Sequence, residues 1–198
     1  MLEIKDVFKA FGDKEVLRGA SICADGEAVA LMGESGSGKT TILRILAGLE
    51  KADGGEVSVT GKTAVSFAEP RLFDGVRVID NVTCVMPKEN GRLSNEKRAR
   101  ELLKSLLLER AENMYPRELS SGMAARVSLC RALAYGADNI ILDEPLRALD
   151  EETKAAAIEV LRRELCGKST IMITHDGGDA MALCKRVFLL ADGKITEK

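Results

Sequence analysis

The chain has 198 residues, enough for one or two domains, and its 45% hydrophobic and 30% charged residues are ordinary for a globular protein. A formal net charge of −2 excludes a strongly basic protein, so we expect no nucleic-acid partner from the overall charge. Five dispersed cysteines without a C-x-x-C pair, together with a single histidine, favour reduced thiols in a reducing compartment over a disulfide framework or a zinc site.

The N-terminal segment carries charges within its first six residues, and no run in the chain approaches the ~18 apolar residues of a membrane span. We therefore expect neither a signal peptide nor a transmembrane helix. If the protein acts at a membrane, another polypeptide must hold it there.

The first part of the chain predicts short strands and then a glycine-rich loop. Apolar pairs at 7–8 and 16–17 flank a turn-like segment at 12–14. The continuous apolar run at 28–32 predicts a strand buried on both faces, as in a parallel sheet. The glycine-rich loop joins this strand to a predicted helix, whose apolar face carries Ile42, Ile45, Leu46 and Leu49.

In the middle of the chain the pattern changes from strands to helices. Alternation over 57–60, a turn and an apolar run at 64–67 predict another strand pair. Helices are predicted over 95–110 and 121–134. Their apolar faces carry Leu102, Leu103, Leu106 and Leu107 in the first helix, and Met123, Val127, Cys130 and Ala134 in the second. We therefore place a mainly helical insertion near residues 74–125.

The last part of the chain returns to alternating strands and helices. Strands are predicted at 140–142 and 170–174, and a terminal hairpin at 187–195 turns at an Asp-Gly pair. Asp150 is placed to cap a helix between the two strands. The pattern predicts an α/β body.

Residues 33–40 fit the pattern G-x-x-x-x-G-K-[ST], with a buried strand before it and an amphipathic helix after it. Glycines let several backbone N–H groups turn towards phosphate oxygens, and the positive end of the following helix favours an anion. Lys39 would reach the β- and γ-phosphates, and Thr40 would offer a hydroxyl to Mg²⁺. We assign nucleotide binding to Gly33, Glu34, Ser35, Gly36, Ser37, Gly38, Lys39, Thr40 and Thr41.

Polar residues follow two of the later strands. Asp143 and Glu144 end the strand at 140–142, and His175 ends the next one. Because the carboxyl ends of parallel strands meet at one edge of the sheet, we expect Asp143 to hold Mg²⁺ and Glu144 to polarise the attacking water. His175 would contact the γ-phosphate. The alternatives are a solvated acidic turn before Pro145 and a structural histidine.

These motifs, in this order, resemble the nucleotide-binding subunits of ATP-binding cassette (ABC) transporters over nearly the whole chain. Leu119-Ser120-Ser121-Gly122-Met123 is similar to the signature L-S-G-G-Q, which separates this family from other P-loop enzymes. Phe11 lies where the family has an aromatic residue that stacks on adenine. The remaining matches are the Walker A loop at 33–40, Walker B at 140–144, the D-loop at 148–150 and the switch histidine at 174–176.

The resemblance implies a single ATPase domain over 1–198 with a mainly parallel sheet, an N-terminal antiparallel β part and a helical subdomain at approximately 74–125. It also implies ATP and Mg²⁺ as cofactors, and a head-to-tail dimer with each ATP held between the loop at 33–40 of one copy and the signature of the other. Ser120 and Gly122 would offer donors to the γ-phosphate. Taken alone, Ser120-Ser121-Gly122 is better explained as a plain helix N-cap, and with the other motifs present both roles are expected together.

The implied partners are membrane permease subunits, a second ATPase copy and, in an importing system, a solute-binding protein. The implied location is cytoplasmic and peripheral, on the inner face of the cell membrane. The helical subdomain would be the surface that docks onto the permease.

The chain departs from the family pattern at two functional positions. Ala68 stands where the family has a glutamine that contacts Mg²⁺ and water, and Ser121 replaces the first glycine of the signature. Met123 replaces the signature glutamine and an alanine pair follows it. We expect ATP binding to survive and hydrolysis or coupling to weaken.

The preferred interpretation is an ATP-hydrolysing subunit that powers transport of an unidentified solute through a permease. Two alternatives remain open at this stage, a soluble ABC-type ATPase that is not tied to transport and a low-turnover nucleotide-binding module. Neither the solute nor the direction of transport follows from these residues, because a nucleotide-binding subunit does not touch the solute.

Overall fold

A computed structural model describes residues 1–147 and 149–198. The strands are β1 (Leu2–Phe11), β2 (Lys14–Ala24), β3 (Ala28–Met32), β4 (Gly54–Val59), β5 (Thr63–Ser66), β6 (Asn139–Asp143), β7 (Ser169–Ile173), β8 (Arg186–Ala191) and β9 (Lys194–Glu197). The helices are α1 (Lys39–Leu46), α2 (Val78–Thr83), α3 (Arg92–Ser105), α4 (Ser121–Ala134), α5 (Glu151–Glu164) and α6 (Gly177–Leu183).

The chain divides into two compact units. The first unit comprises residues 1–65, 138–144 and 165–198, and the second comprises residues 66–137 and 145–164. Across the described part of the chain, no helix has the length and apolarity that crossing a membrane requires.

The first unit contains two sheets. A three-stranded antiparallel sheet has the order β2-β1-β4, and a six-stranded sheet has the order β5-β6-β7-β3-β8-β9. Strands β6, β7, β3 and β8 run parallel to one another, and β9 closes the sheet as an antiparallel hairpin strand. All five residues of β7 are buried, the polar Ser169 and Thr170 included, as expected for a strand covered on both faces of a parallel sheet. The predicted α/β fold with a mainly parallel sheet and an antiparallel β part is confirmed.

Parallel pairing aligns the carboxyl ends of three strands. In the registers of β3 and β6 with β7, Leu31 and Asp143 both pair with Ile173. The residues that follow β3, β6 and β7 therefore emerge at one edge of the sheet. These are Gly33, Glu144 and His175, the positions that the sequence predicted for the site.

The second unit is a helical cluster. Helices α2, α3 and α4 pack on one another, with Val78, Val82, Leu102, Leu103 and Val127 almost fully buried. The predicted bounds of α4 are confirmed, since the helix covers Ser121–Ala134.

Two sequence predictions about the strands and α1 are wrong. Segments 57–60 and 64–67 are not a pair, because β4 bonds to β1 and β5 lies beside β6 in the other sheet. The Asp138 carboxylate accepts the Lys62 N–H at 2.8 Å and directs the chain towards β6. Leu49 lies beyond the end of α1 and is 53% exposed, because the chain turns at Gly48 with a φ of 70°.

The helix predicted over 95–110 begins and ends earlier, at Arg92 and Ser105. Leu107 has a φ of 56°, and the Leu108 N–H bonds back to the Leu103 carbonyl, so the chain leaves the helix there. As a result Leu107 is 46% exposed and does not share the buried face with Leu102, Leu103 and Leu106.

Candidate nucleotide-binding site

The loop that follows β3 requires glycine at two positions. A Cβ on Gly33 would lie 2.5 Å from the Leu190 carbonyl oxygen, and one on Gly38 would lie 2.8 Å from a Val16 methyl group. Both residues also have positive φ, 153° and 110°. Gly36 has a φ of 79° but open space around its Cβ position, so its constraint is conformational alone.

Lys39, the first residue of α1, closes the loop. Its Nζ donates to the Gly33 and Glu34 carbonyl oxygens, each at 2.7 Å, and the Ser37 N–H donates to the Glu34 carbonyl at 3.2 Å. Within the described residues the Ser37 hydroxyl is buried without a hydrogen-bond partner. An unsatisfied hydroxyl in a glycine-rich loop before a helix start fits an anionic ligand such as a phosphate.

The start of α1 is open to a ligand. Its N-cap is Gly38, which supplies no side-chain cap, and Thr40 in its first turn is exposed. Beside the loop, residues 34–37 together with β2 and the turn between β8 and β9 enclose a cavity of about 550 Å³. The helix start therefore has no side-chain cap, and the cavity lies beside the preceding residues 34–37.

Helix α1 packs against β6, which brings the element that carries Thr40 next to the one that ends in Asp143. A threonine hydroxyl and a carboxylate are hard oxygen donors, the kind that Mg²⁺ takes while it keeps several waters and phosphate oxygens. The residues present fit a magnesium ion bound together with a nucleotide.

Glu144 and His175 contact each other directly. The His175 Nδ1 lies 3.0 and 2.9 Å from the two Glu144 carboxylate oxygens. Glu144 has a φ of 50°, and its N–H donates to the Ile173 carbonyl at 2.9 Å, so β7 fixes its backbone. Positive φ is uncommon for a non-glycine residue, and at Glu144 this conformation occurs where the side chain meets His175. The sequence placed both residues at one edge but gave no sign that they would pair.

Phe11 lies at the end of β1 and is 50% exposed. The Lys9 Nζ lies 5.1 Å from the centre of its ring. Lys9 itself bonds to Glu50 and Asp53, a cluster that sequence analysis missed. Lys9 is only 9% exposed, and both this burial and its partners are revealed by the fold alone.

Ser120 and Gly122 belong to the second unit, and the loop, Asp143, Glu144, His175 and Phe11 belong to the first. Ser120 is the N-cap of α4, and its hydroxyl oxygen accepts the Met123 N–H at 3.2 Å. The capping alternative is therefore correct, and the hydroxyl hydrogen stays available as a donor. Gly122 lies in the first turn of α4, and its carbonyl accepts from Arg126 Nε at 3.2 Å.

Of the predicted D-loop, Ala148 lies outside the described residues. The Asp150 carboxylate accepts from both the N–H and the hydroxyl of Thr153, at 3.0 and 2.9 Å. The prediction that Asp150 caps a helix is thereby confirmed.

Ala68 lies in a segment of the second unit that neighbouring side chains hold in place. Arg131 of α4 donates to the Pro70 carbonyl at 3.1 Å and lies 5.6 Å from the ring centre of Phe73. Asn81 accepts the Phe73 N–H at 2.8 Å, yet the Phe73 side chain remains 58% exposed. The segment thus presents an aromatic side chain to solvent from a fixed backbone.

A protein-family model described as ABC transporter matches residues 20–147. The chain is 42% identical to the aliphatic sulfonates import ATP-binding protein SsuB of Corynebacterium glutamicum, over 98% of this chain and 81% of that protein. It is 40% identical to the protein of the same name from Albidiferax ferrireducens, over 98% of this chain and 72% of that protein.

Two similar solved structures are dimers. One is an ATP-binding cassette in a post-hydrolysis state bound to ADP and Pi, with a TM-score of 0.89 and 30% identity, covering 100% of this chain and 98% of that chain. The other is a bacterial ABC transporter cassette with a TM-score of 0.91, 30% identity and the same coverage of both chains.

Proposed function

Since this chain belongs to the ABC transporter family and is an ATPase, we propose that it powers the import of aliphatic sulfonates through a partner membrane permease. The observation that carries this proposal is the 42% identity, over 98% of the chain, to an import protein of that name. The sequence alone left both the solute and the direction open.

ATP binding rests on the first unit. The loop at 33–40 surrounds the phosphates, and the Lys39 ammonium exchanges its bonds to Gly33 and Glu34 for phosphate oxygens. Phe11 stacks on adenine. Thr40 and Asp143 would hold Mg²⁺, which would offset the charge of the β- and γ-phosphates.

Glu144 acts as the general base towards the attacking water. With a proton on Nδ1, His175 donates to the Glu144 carboxylate and fixes its direction, and Nε2 remains for the γ-phosphate. The β7 carbonyl that binds the Glu144 N–H supplies the rest of the orientation. Positioned bases of this type contribute roughly 10²–10⁴ to the rate.

A second copy or a paired ATPase subunit completes the site. Ser120 and Gly122 at the start of α4 contact the γ-phosphate bound to the other copy, where backbone N–H groups and the Ser120 hydroxyl act as donors. The dimeric state of both similar structures supports this arrangement.

The whole of 1–198 works as one ATPase domain, with a helical subdomain at approximately 74–125. The exposed Phe73, on its fixed segment, contributes to docking on the permease. This docking holds the protein at the inner face of the cell membrane, and a solute-binding protein delivers the sulfonate from the other side.

The test uses the organism that encodes this chain. Its gene is replaced by a Lys39→Ala version, and growth is measured with an alkanesulfonate or inorganic sulfate as the only sulfur source. We expect growth on the sulfonate to be lost and growth on sulfate to be kept. Unchanged growth on sulfonates, with loss of growth on another solute, would refute the sulfonate assignment.

Ala68 and Ser121 favour a second candidate, a cassette with low turnover. Ala68 provides no side-chain oxygen for the metal or the water. If this absence limits the rate, Ala68→Gln raises the steady-state ATPase activity of the complex with its permease by several-fold. An unchanged rate would remove Ala68 as the cause.

A further inference from the structure

Next to Phe11 lies a charged cluster that the hydrolysis reaction does not use. The Lys9 Nζ is 2.9 Å from a Glu50 carboxylate oxygen and 3.1 Å from an Asp53 carboxylate oxygen. The Lys9 side chain is only 10% exposed. Glu50 and Asp53 come from the segment between α1 and β4, so this lysine joins that segment to the strand that carries Phe11.

Asp53 fixes the backbone of the same strand. Its N–H donates to the Phe8 carbonyl at 2.9 Å, and its second carboxylate oxygen accepts the Ala10 N–H at 2.7 Å. The register of β1 with β4 ends at Phe8 and Gly54. Asp53 thus continues the hydrogen bonding of this edge beyond the last paired residue and holds the backbone immediately before Phe11.

The ammonium group also contacts the aromatic ring, since the Lys9 Nζ lies 5.1 Å from the centre of the Phe11 ring. The hydrogen bond from Lys9 to Glu50 and, to a smaller extent, the one to Asp53 raise the pKa of Lys9. The hydrogen bond from the Ala10 N–H and, to a smaller extent, the one from Lys9 lower the pKa of Asp53. The cluster therefore stays ionised near neutral pH. Because two carboxylates offset the ammonium charge, the cluster acts on the ring mainly by fixing its position.

We infer that Lys9 and Asp53 are positioning residues that hold Phe11 as a stacking surface for the purine base of the nucleotide. This inference rests on the proposed stacking of Phe11 on adenine. A half-exposed ring at a strand end gains little from stacking unless its orientation is fixed beforehand, because fixing it during binding costs conformational entropy. Lys9 fixes the orientation through its contact with the ring, and Asp53 fixes it through the backbone of the strand.

The test separates base recognition from phosphate recognition. Dissociation constants for ATP and for inorganic tripolyphosphate are measured by calorimetry, with Mg²⁺ present, on the full chain. Phe11→Ala should weaken ATP binding by about tenfold, the scale of one base–aromatic stack, and leave tripolyphosphate unchanged. Lys9→Met and Asp53→Asn should each weaken ATP alone, by about three- to fivefold, because the ring is retained but less ordered.

The matched control is Lys5→Met, the same substitution at an exposed position of the same strand, and it should change neither constant. Lys9→Met in a Phe11→Ala background should add nothing further for ATP, because both act through the ring. Lys9→Arg keeps both ion pairs and should bind ATP as tightly as the unchanged chain. This variant also keeps the inference testable if Lys9→Met does not fold.

The outcomes distinguish the stacking role of Phe11 from the positioning role of Lys9 and Asp53. If Phe11→Ala leaves the ratio of the two constants unchanged, the proposed stacking of Phe11 is wrong. If Phe11→Ala lowers ATP affinity while Lys9→Met and Asp53→Asn behave like Lys5→Met, only the positioning inference is wrong. Equal weakening of ATP and tripolyphosphate by Lys9→Met would also overturn it, since that indicates general damage.

Discussion

The starts of α1 and α4 are both proposed to contact phosphate, but they are built differently. Helix α1 follows a loop in which positions 33 and 38 must be glycine, because a Cβ at either would clash with a neighbouring atom. No side chain caps its first turn. Helix α4 begins with Ser120, whose hydroxyl already accepts the Met123 N–H. One helix start leaves its donors for a ligand and the other satisfies part of its own.

This difference explains where the chain tolerates change. The loop at 33–40 keeps the full family pattern, because Gly33 and Gly38 leave no space for a Cβ. Ser121 replaces a glycine in the signature, but it is the exposed first residue of an ordinary helix. A side chain at that position costs no backbone strain within the chain, so any effect of Ser121 must arise against a partner copy.

The largest effect on ATP affinity is expected for Gly33→Ala. The new Cβ would lie 2.5 Å from the backbone oxygen of Leu190, which cannot move aside as a side chain can, so the loop must distort. We expect ATP affinity to fall by more than about 100-fold, the scale for losing several phosphate contacts of 1.5–3 kcal/mol each. The measurement is ATP binding by calorimetry.

Gly36→Ala is the control for that variant, because Gly36 shares the positive φ but has open space at its Cβ position. We expect only a modest loss, of about tenfold or less, from backbone strain of order 1 kcal/mol. Equal losses for both variants would show that positive φ, and not the contact with Leu190, constrains the loop.

An intermediate effect is expected for Ser120→Ala. Loss of the cap should destabilise α4 by about 1 kcal/mol. Loss of a donor to the γ-phosphate should lower kcat by about 10–100-fold, while ATP affinity of the isolated subunit stays unchanged. Ser120→Thr keeps both functions and is the control. A normal kcat for Ser120→Ala would refute the contact with the γ-phosphate and show that Ser120 only caps α4.

The smallest effect concerns Asp150, which caps α5 in the second unit. The N–H and hydroxyl of Thr153, with Arg126 as a weaker influence, lower the pKa of Asp150. Its contribution to stability is therefore present above the unfolded pKa of about 3.9 and is lost as the pH falls through the lower folded value.

Asp150→Asn keeps a capping residue without the titrating charge. At pH 7 we expect its Tm to lie about 1–3 °C below that of the unchanged chain, because only the negative charge at the helix N-terminus is lost, and the gap to close as the pH falls below about 4. Thermal unfolding at both pH values measures this, and a gap that widens on acidification would contradict the assigned direction.

Local features of the sequence predicted the fold and site best. The buried strand, the glycine loop and the helix that follows are contiguous, so 28–46 could be interpreted without knowledge of the rest. The shared edge of Glu144 and His175 followed from parallel pairing. Their contact did not, because it joins residues 31 apart through the backbone conformation of Glu144.

Features that depend on distant pairing could not be predicted. β4 and β5 are separated by only three residues, yet each completes its hydrogen bonds in a different sheet. Lys9 and Asp53, 44 residues apart, meet only because β4 lies beside β1. Leu107 has the spacing of a core residue, but the helix ends before it.

The central claim is that the open start of α1 and the Glu144–His175 pair form one half of an ATPase site that a second copy completes. ATP turnover and size in solution, measured for the unchanged chain and for Glu144→Gln with ATP and Mg²⁺, test it together. We predict that Glu144→Gln lowers kcat by about 10²–10⁴, retains ATP and accumulates as a dimer that ADP does not produce. Undiminished turnover by Glu144→Gln, or a monomer saturated with ATP, would contradict the account.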